Sequence, residues 1–272
     1  MTDTTITVTS TEYVSSTTLI ATISISPKSP VDFRDVKVEL AGGRTQGIGN
    51  LLFEVTQAVQ IQGTSAVRSI NDNGEATGTL ASGDGVFYYN VATRQLETVS
   101  ATGTGYDISP AGTAIVGSGG ANGAFPYLYT RTGAGGTWRG TSLPTDPSST
   151  AGAAGAMLTD GTGQVVTIGG IEQACRGKIC TSRGVVWVWQ AGYGVWQRTV
   201  LPDSGSGGEV RHRALSSTGV LGGFVNIGRV LAPAVWMPNG SGGYALTVLS
   251  TSDGAVNGVR SDGGIVAGYL ST

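Results

Sequence analysis

Val67-Arg-Ser-Ile-Asn-Asp-Asn-Gly74-Glu-Ala-Thr-Gly78 decides the fold. It reads as a short strand, a polar turn closed by Gly74, and a second short strand ending on glycine. Asn, Asp and Gly make the turn because they tolerate the positive φ of a tight hairpin. The phrase returns as Tyr106-Asp-Ile-Ser-Pro-Ala-Gly112-Thr-Ala-Ile-Val-Gly117. Looser copies are Met157-Leu-Thr-Asp-Gly-Thr-Gly163-Gln-Val-Val-Thr-Ile-Gly169, Ala214-Leu-Ser-Ser-Thr-Gly219-Val-Leu-Gly-Gly223 and Val259-Arg-Ser-Asp-Gly-Gly264-Ile-Val-Ala-Gly268. Turn glycines at 74, 112, 163, 219 and 264 are spaced by 38, 51, 56 and 45 residues.

A second phrase alternates with the first. It is a strand with an aromatic near its end: Phe87-Tyr-Tyr89, Tyr127-Leu-Tyr129, Trp187-Val-Trp189 and Ala234-Val-Trp236, with Leu51-Leu-Phe53 upstream. A further strand follows, carrying Leu96, Leu143, Val200-Leu201 or Leu246. Each unit is therefore a four-stranded antiparallel meander. A β-propeller is built from four-stranded blades of roughly 40–50 residues, so the expected fold class is an all-β propeller.

Residues 66–143 resemble the extracellular HAF-repeat-like β-propeller family, named for a His-Ala-Phe motif. Ser69-Ile-Asn-Asp-Asn-Gly74, Gly123-Ala-Phe125 and Tyr127-Leu-Tyr129 carry the resemblance. No unit has His before Ala-Phe; Gly123 stands there. The resemblance covers two units well and implies fold. It brings no catalytic constellation with it.

The last unit stops after its second strand, at Gly268-Tyr-Leu-Ser-Thr272. Two closures follow. In the first, Leu51–Val59 supplies the outer strands of the last blade, the ring has five blades, and residues 1–32 form a Thr-rich arm before a propeller of residues 33–272. In the second, Val36-Lys-Val-Glu-Leu-Ala-Gly-Gly43 is the inner hairpin of another blade, and Ile6–Val8 with Leu19–Ile25 closes a six-bladed ring. The arm alternates apolar and polar residues as a half-buried strand does, in Thr5-Ile-Thr-Val-Thr9 and Ile20-Ala-Thr-Ile-Ser-Ile25, until Pro27 and Pro30 break it. A strand pair of this size is marginal alone and calls for a partner sheet.

Composition excludes other classes. Glycine numbers 45 of 272 residues and charged residues make up 12%, which does not suit a helical bundle. Hydrophobic residues at 39% exceed what a disordered tail carries. The apolar runs are too short to span a membrane. A net charge of -2 without a basic block argues against nucleic acid. The first residues, Met1-Thr-Asp-Thr-Thr-Ile, lack the charged and apolar regions of a signal peptide. Cys175 and Cys180 read either as a local disulfide, for which Gly177 would give the turn, or as two free thiols. With His212 the only histidine, no metal and no cofactor is expected.

Catalytic patterns are weak. Asp72, Asp160, Asp253 and Asp262 sit in Gly turns and read as turn formers; Asp107 and Asp32-Phe-Arg-Asp35 are less explained. His212 with Ser204, Ser206 or Ser216 lacks a nucleophile elbow. The third unit is lengthened at Gly169–Arg183, which reads as a positive loop carrying Arg176, Lys178 and Arg183. Trp187 and Trp189 share a strand face by period two and read as core between blades. Trp138 and Tyr193, in Gly-rich loops, are the freer aromatics. The binding candidates are thus Trp138, Arg176, Lys178, Arg183 and Tyr193. Two functions compete. One is a non-enzymatic structural or decorating subunit of a larger assembly, a virion or surface appendage, held to other subunits by the arm. The other is a secreted glycan-binding propeller. Both place the chain outside the cell or on a virion surface.

Overall fold

The computed structural model describes residues 6–15, 18–25, 32–40, 44–55, 61–133, 135–176, 179–203, 208–240 and 242–271. Among them are 22 strands and no helix. The chain divides into two compact units, Met1–Gln60 and Ile61–Thr272. The division therefore falls after Gln60 rather than after residue 32. The reason lies in pairing: β3 (Asp32–Leu40) and β4 (Arg44–Val55) take their ladder from each other and form their own two-stranded sheet.

Unit 1 holds a second hairpin, β1 (Ile6–Ser15) with β2 (Thr18–Ile25). Its register sets Val8 opposite Ile23, and both are exposed, at 58% and 39%. Alternation thus produces strands here, with apolar residues displayed to solvent.

Unit 2 is a run of antiparallel meanders. The first sheet is β5 (Thr64–Ile70), β6 (Glu75–Leu80), β7 (Val86–Asn90) and β8 (Gln95–Ser100). The second is β9 (Thr104–Ile108), β10 (Ala114–Gly119), β11 (Phe125–Thr130) and β12 (Arg139–Ser142). The third is β13 (Ala151–Thr159), β14 (Val165–Arg176), β15 (Ile179–Gln190) and β16 (Val195–Val200). The fourth is β17 (Gly208–Leu215), β18 (Leu221–Ile227), β19 (Val230–Pro238) and β20 (Tyr244–Val248). The fifth has only β21 (Gly254–Val259) and β22 (Val266–Leu270).

Each sheet lies face to face on the next. The first strand of one packs on strands of the sheet before it: β9 on β5 and β6, β13 on β10 and β11, β17 on β14 and β15, β21 on β18 and β19. Period-two alternation lets one strand serve two cores. Along β15, Val185 and Trp187 join Val116, Leu128 and Leu143 of the second sheet, while Val186 joins Leu221, Ala234 and Trp236 of the fourth. β10 is consequently buried along its whole length, which is the signature of a strand covered on both faces.

The repeated turn is the same object five times. Gly74, Gly112, Gly163, Gly219 and Gly263 all have positive φ, and each donates its N–H to the carbonyl three residues back. In the last turn the left-handed residue is Gly263, one before the expected Gly264. Asx and Ser side chains complete the turns. Asn71 Oδ1 accepts from the N–H of Asn73 and Glu75, and Asp160 Oδ1 from Thr162 and Gln164. The glycine that closes the phrase has a different cause. A Cβ at Gly78, Gly117 or Gly268 would collide with the carbonyl oxygen of Ala66, Thr104 or Ala255 on the neighbouring strand.

The expected closure by Leu51–Val59 is corrected. Leu51–Val55 lies in β4, paired with β3, and residues 56–59 lie outside the described residues. The six-bladed alternative fares no better, because Ile6–Val8 and Leu19–Ile25 lie in a two-stranded sheet of their own.

Candidate functional site

The register defines what occupies equivalent places. Tyr89, Tyr129, Trp187 and Trp236 stand opposite Ala76, Ile115, Ile168 and Leu221 of the preceding strand. Tyr129, Trp187 and Trp236 each pack in the core shared with the preceding sheet. Both tryptophans are fully buried. Trp187 Nε1–H donates to the Pro144 carbonyl at 2.7 Å, and Trp236 Nε1–H to the Pro202 carbonyl at 2.7 Å.

Those carbonyls follow a fixed element. After the fourth strand, Leu143 N–H donates to Pro126 O, Leu201 N–H to Gly184 O and Leu249 N–H to Pro233 O. Leu143-Pro144 of the second sheet thus receives Trp187 of the third. Leu201-Pro202 of the third receives Trp236 of the fourth. Each clasp joins two sheets by a large buried ring and one hydrogen bond.

Leu249-Ser250 of the fourth sheet has the same backbone, but the fifth sheet has two strands among the described residues. Leu249 is 46% exposed, against 2% for both Leu143 and Leu201. It lines a cleft of about 250 Å³ with Ser250, Val256, Val266, Tyr269 and Leu270. Ile265, Tyr269 and Leu270 are also exposed. β22 has β21 on one side and no strand on the other among the described residues. An edge with free N–H and C=O groups beside apolar side chains is a template for another strand.

The first two sheets share a buried core of Val86, Tyr88, Ile108, Ile115 and Tyr129 and are joined by charge as well. Arg131, buried, donates Nε–H to Gly112 O at 3.1 Å and sits 3.4 Å from Glu97 Oε2 and 3.8 Å from Glu75 Oε1. Its guanidinium lies 3.9 Å over the Tyr88 ring and 4.6 Å over the Trp138 ring. Tyr88 Oη–H donates to Glu75 Oε1, and Trp138 Nε1–H to Glu97 Oε2. Burial, then the hydrogen bond to Glu75, pushes the Tyr88 hydroxyl pKa up. Trp138 is therefore part of this cluster rather than a free loop aromatic; its ring is needed to cover the guanidinium.

The other candidates do not converge. The lengthened segment of the third unit is strand, not loop: β14 and β15 form a hairpin of 12 residues a side with Cys175 opposite Cys180. The two sulfurs are joined in a disulfide. Arg176 ends β14, and Lys178 lies outside the described residues. Arg183 is exposed on β15, in register with Glu172. Glu172 is itself held by Arg198 Nε at 2.6 Å, and that carboxylate raises the Arg198 pKa. Tyr193 is 84% exposed in the β15–β16 turn, a strand length away from the disulfide.

Asp107 is accounted for as a tie between three sheets, accepting from Ser69 Oγ–H at 2.9 Å and Met157 N–H at 3.2 Å. Asp253 Oδ1 accepts from Leu231 N–H, and Asp262 pairs with Arg260. Ser216 Oγ is taken up by its own turn, accepting from Val220 N–H; Ser204 and Ser206 lie outside the described residues. Among the described residues, no group of three or more His, Cys, Asp or Glu side chains could hold a metal ion. No helix there is long and apolar enough to cross a membrane.

The feature that sequence reasoning missed is Leu249. Its signal was present in the recurrence of Leu143-Pro144 and Leu201-Pro202, followed by Leu249-Ser250. No family model matches the chain, and no curated protein or solved structure does so either.

Proposed function

We propose that Ile61–Thr272 is a β-propeller whose fifth blade has two strands among the described residues, and that the protein is a non-enzymatic structural subunit of a larger assembly. Strands from a neighbouring subunit complete the blade. The observation that carries this reading is Leu249, exposed where its two counterparts are covered. Strand addition would supply main-chain hydrogen bonds to β22 and a side chain to the Leu249 cleft. The exposed Val8–Ile23 pair of the arm gives a second apolar contact surface. The disulfide fits an oxidising location, such as a virion surface or an extracellular appendage.

Two measurements test this. Light scattering on the purified full chain should find an oligomer that Leu249→Asp reduces to monomer. A synthetic peptide of residues 230–248, the chain's own third and fourth strands of the fourth sheet, should bind the Leu249→Asp variant at least about tenfold more weakly than the native chain. A Trp236→Ala peptide should bind poorly. A native chain that is monomeric at its highest soluble concentration and ignores the peptide would falsify the reading.

A further inference from the structure

The second and third sheets enclose a cleft of about 720 Å³. That lies within the ~300–1,000 Å³ typical of small-molecule sites. One wall is Trp189 and Trp196, cross-strand partners on β15 and β16 with ring centroids 5.4 Å apart. The other wall sets Thr130, Thr141, Ser142 and Arg131 beside Leu128 and Pro144, and Gln164 joins it from the β13–β14 turn.

The repeat does not require this tryptophan pair. Two residues beyond the Trp187 column stand Val91 in the first sheet, Arg131 beside Trp138 in the second, and Pro238 opposite Tyr244 in the fourth. Only the third sheet puts two indoles there. Trp187 and Trp236 recur because they clasp sheets; Trp189 and Trp196 have no such counterpart. Both are only half-buried, so they retain indole surface toward the cleft.

Charge narrows the ligand. The one ionised side chain lining the cleft is Arg131, and its guanidinium is held by Glu97 and Glu75 under two aromatic rings. It has little charge left for an anionic ligand. What remains is an aromatic face opposite hydroxyl and amide groups. A pyranose matches this, since its C–H face stacks on an indole while its hydroxyl edge exchanges hydrogen bonds with Thr, Ser and Gln.

We infer that the cleft between the second and third sheets binds a neutral oligosaccharide, with Trp189 and Trp196 as the stacking platform and Thr141, Ser142 and Gln164 as hydrogen-bonding partners. This inference is independent of the strand-addition edge, which lies on the fourth and fifth sheets.

The test is titration of the full chain with cellotriose, maltotriose, triacetylchitotriose and trigalacturonate, followed by tryptophan fluorescence and by calorimetry. At least one neutral trisaccharide should shift the emission and bind. Trp189→Ala should weaken it by at least about tenfold. Gln164→Ala, on an exposed turn, should weaken it by less with an unchanged melting temperature. Trigalacturonate should bind no better than the neutral sugars. The inference is overturned if every neutral sugar fails to bind, if trigalacturonate binds best, or if Trp189→Ala and Gln164→Ala both bind as the native chain does.

Discussion

The fourth sheet meets the third and the fifth in two different ways. Toward the third, Trp236 fills the space over Leu201 and hydrogen-bonds Pro202. Toward the fifth, the same backbone feature at Leu249 stands beside a two-stranded sheet and remains exposed. Nothing in the local chemistry of leucine separates Leu201 from Leu249; both donate their N–H to the third strand of their own sheet. The difference is that Trp236 of the next sheet's third strand covers Leu201, while the fifth sheet shows no third strand over Leu249 among the described residues. A sheet's outer half is thus a contribution to its neighbour as much as to itself, and a two-stranded sheet leaves that neighbour's surface available.

The comparison can be broken from its closed side. Trp236→Ala should cost about 3–5 kcal/mol, since it removes a fully buried ring and leaves a cavity over Leu201. It should also strand the Pro202 carbonyl. Chemical denaturation measures the loss, and an unchanged midpoint would mean the clasp is not what joins these sheets. The paired leucines sharpen the point. Leu201→Ala should cost about 2–5 kcal/mol, and Leu249→Ala on an isolated chain about 0.5 kcal/mol or less. Equal costs would show that Leu249 is covered in solution.

The joint between the first and second sheets offers a pH test. Burial pushes the Tyr129 pKa up to about 12, and its hydroxyl donates to Ser118 O at 3.0 Å. A folded pKa above the unfolded value of about 10 means that the neutral form is favoured in the native state. Its contribution is complete below pH ~10 and is lost as pH rises toward 12. The native chain should therefore lose about 1–3 kcal/mol over that range, and Tyr129→Phe should lose less. Thermal melts across the range decide it; parallel curves for the two proteins would refute the assignment.

The smallest effect belongs to the hairpin tip. Reducing Cys175–Cys180 opens a short loop and should lower stability by about 2 kcal/mol or less. Because the tip lies away from Trp236 and Leu249, reduction should leave the assembly state unchanged. A change of oligomer on reduction would tie the hairpin to the interface.

Local patterns carried far in the sequence. The turn phrase from Val67 to Gly78 and its four copies foretold five hairpins, because Asn, Asp and Gly act through their own backbone within four residues. Alternation in Ile6–Ile25 foretold strands, and the short Cys175–Cys180 spacing admitted the bridge. What the sequence left undetermined depends on partners distant along the chain. Trp138 reads as a loop aromatic until Arg131, Glu97 and Tyr88 arrive from three other segments. The segment Gly169–Arg183 reads as a loop, since its polar residues hide a register that extends the β14–β15 ladder. Leu51–Val55 could have joined either end of the chain by pattern alone, and took its neighbour β3 because a local ladder costs less closure entropy. The exposure of Leu249 is of the same kind. Period and turn chemistry set each strand, but only the stacking of whole sheets decided which apolar side chains were covered and which were left to meet a partner.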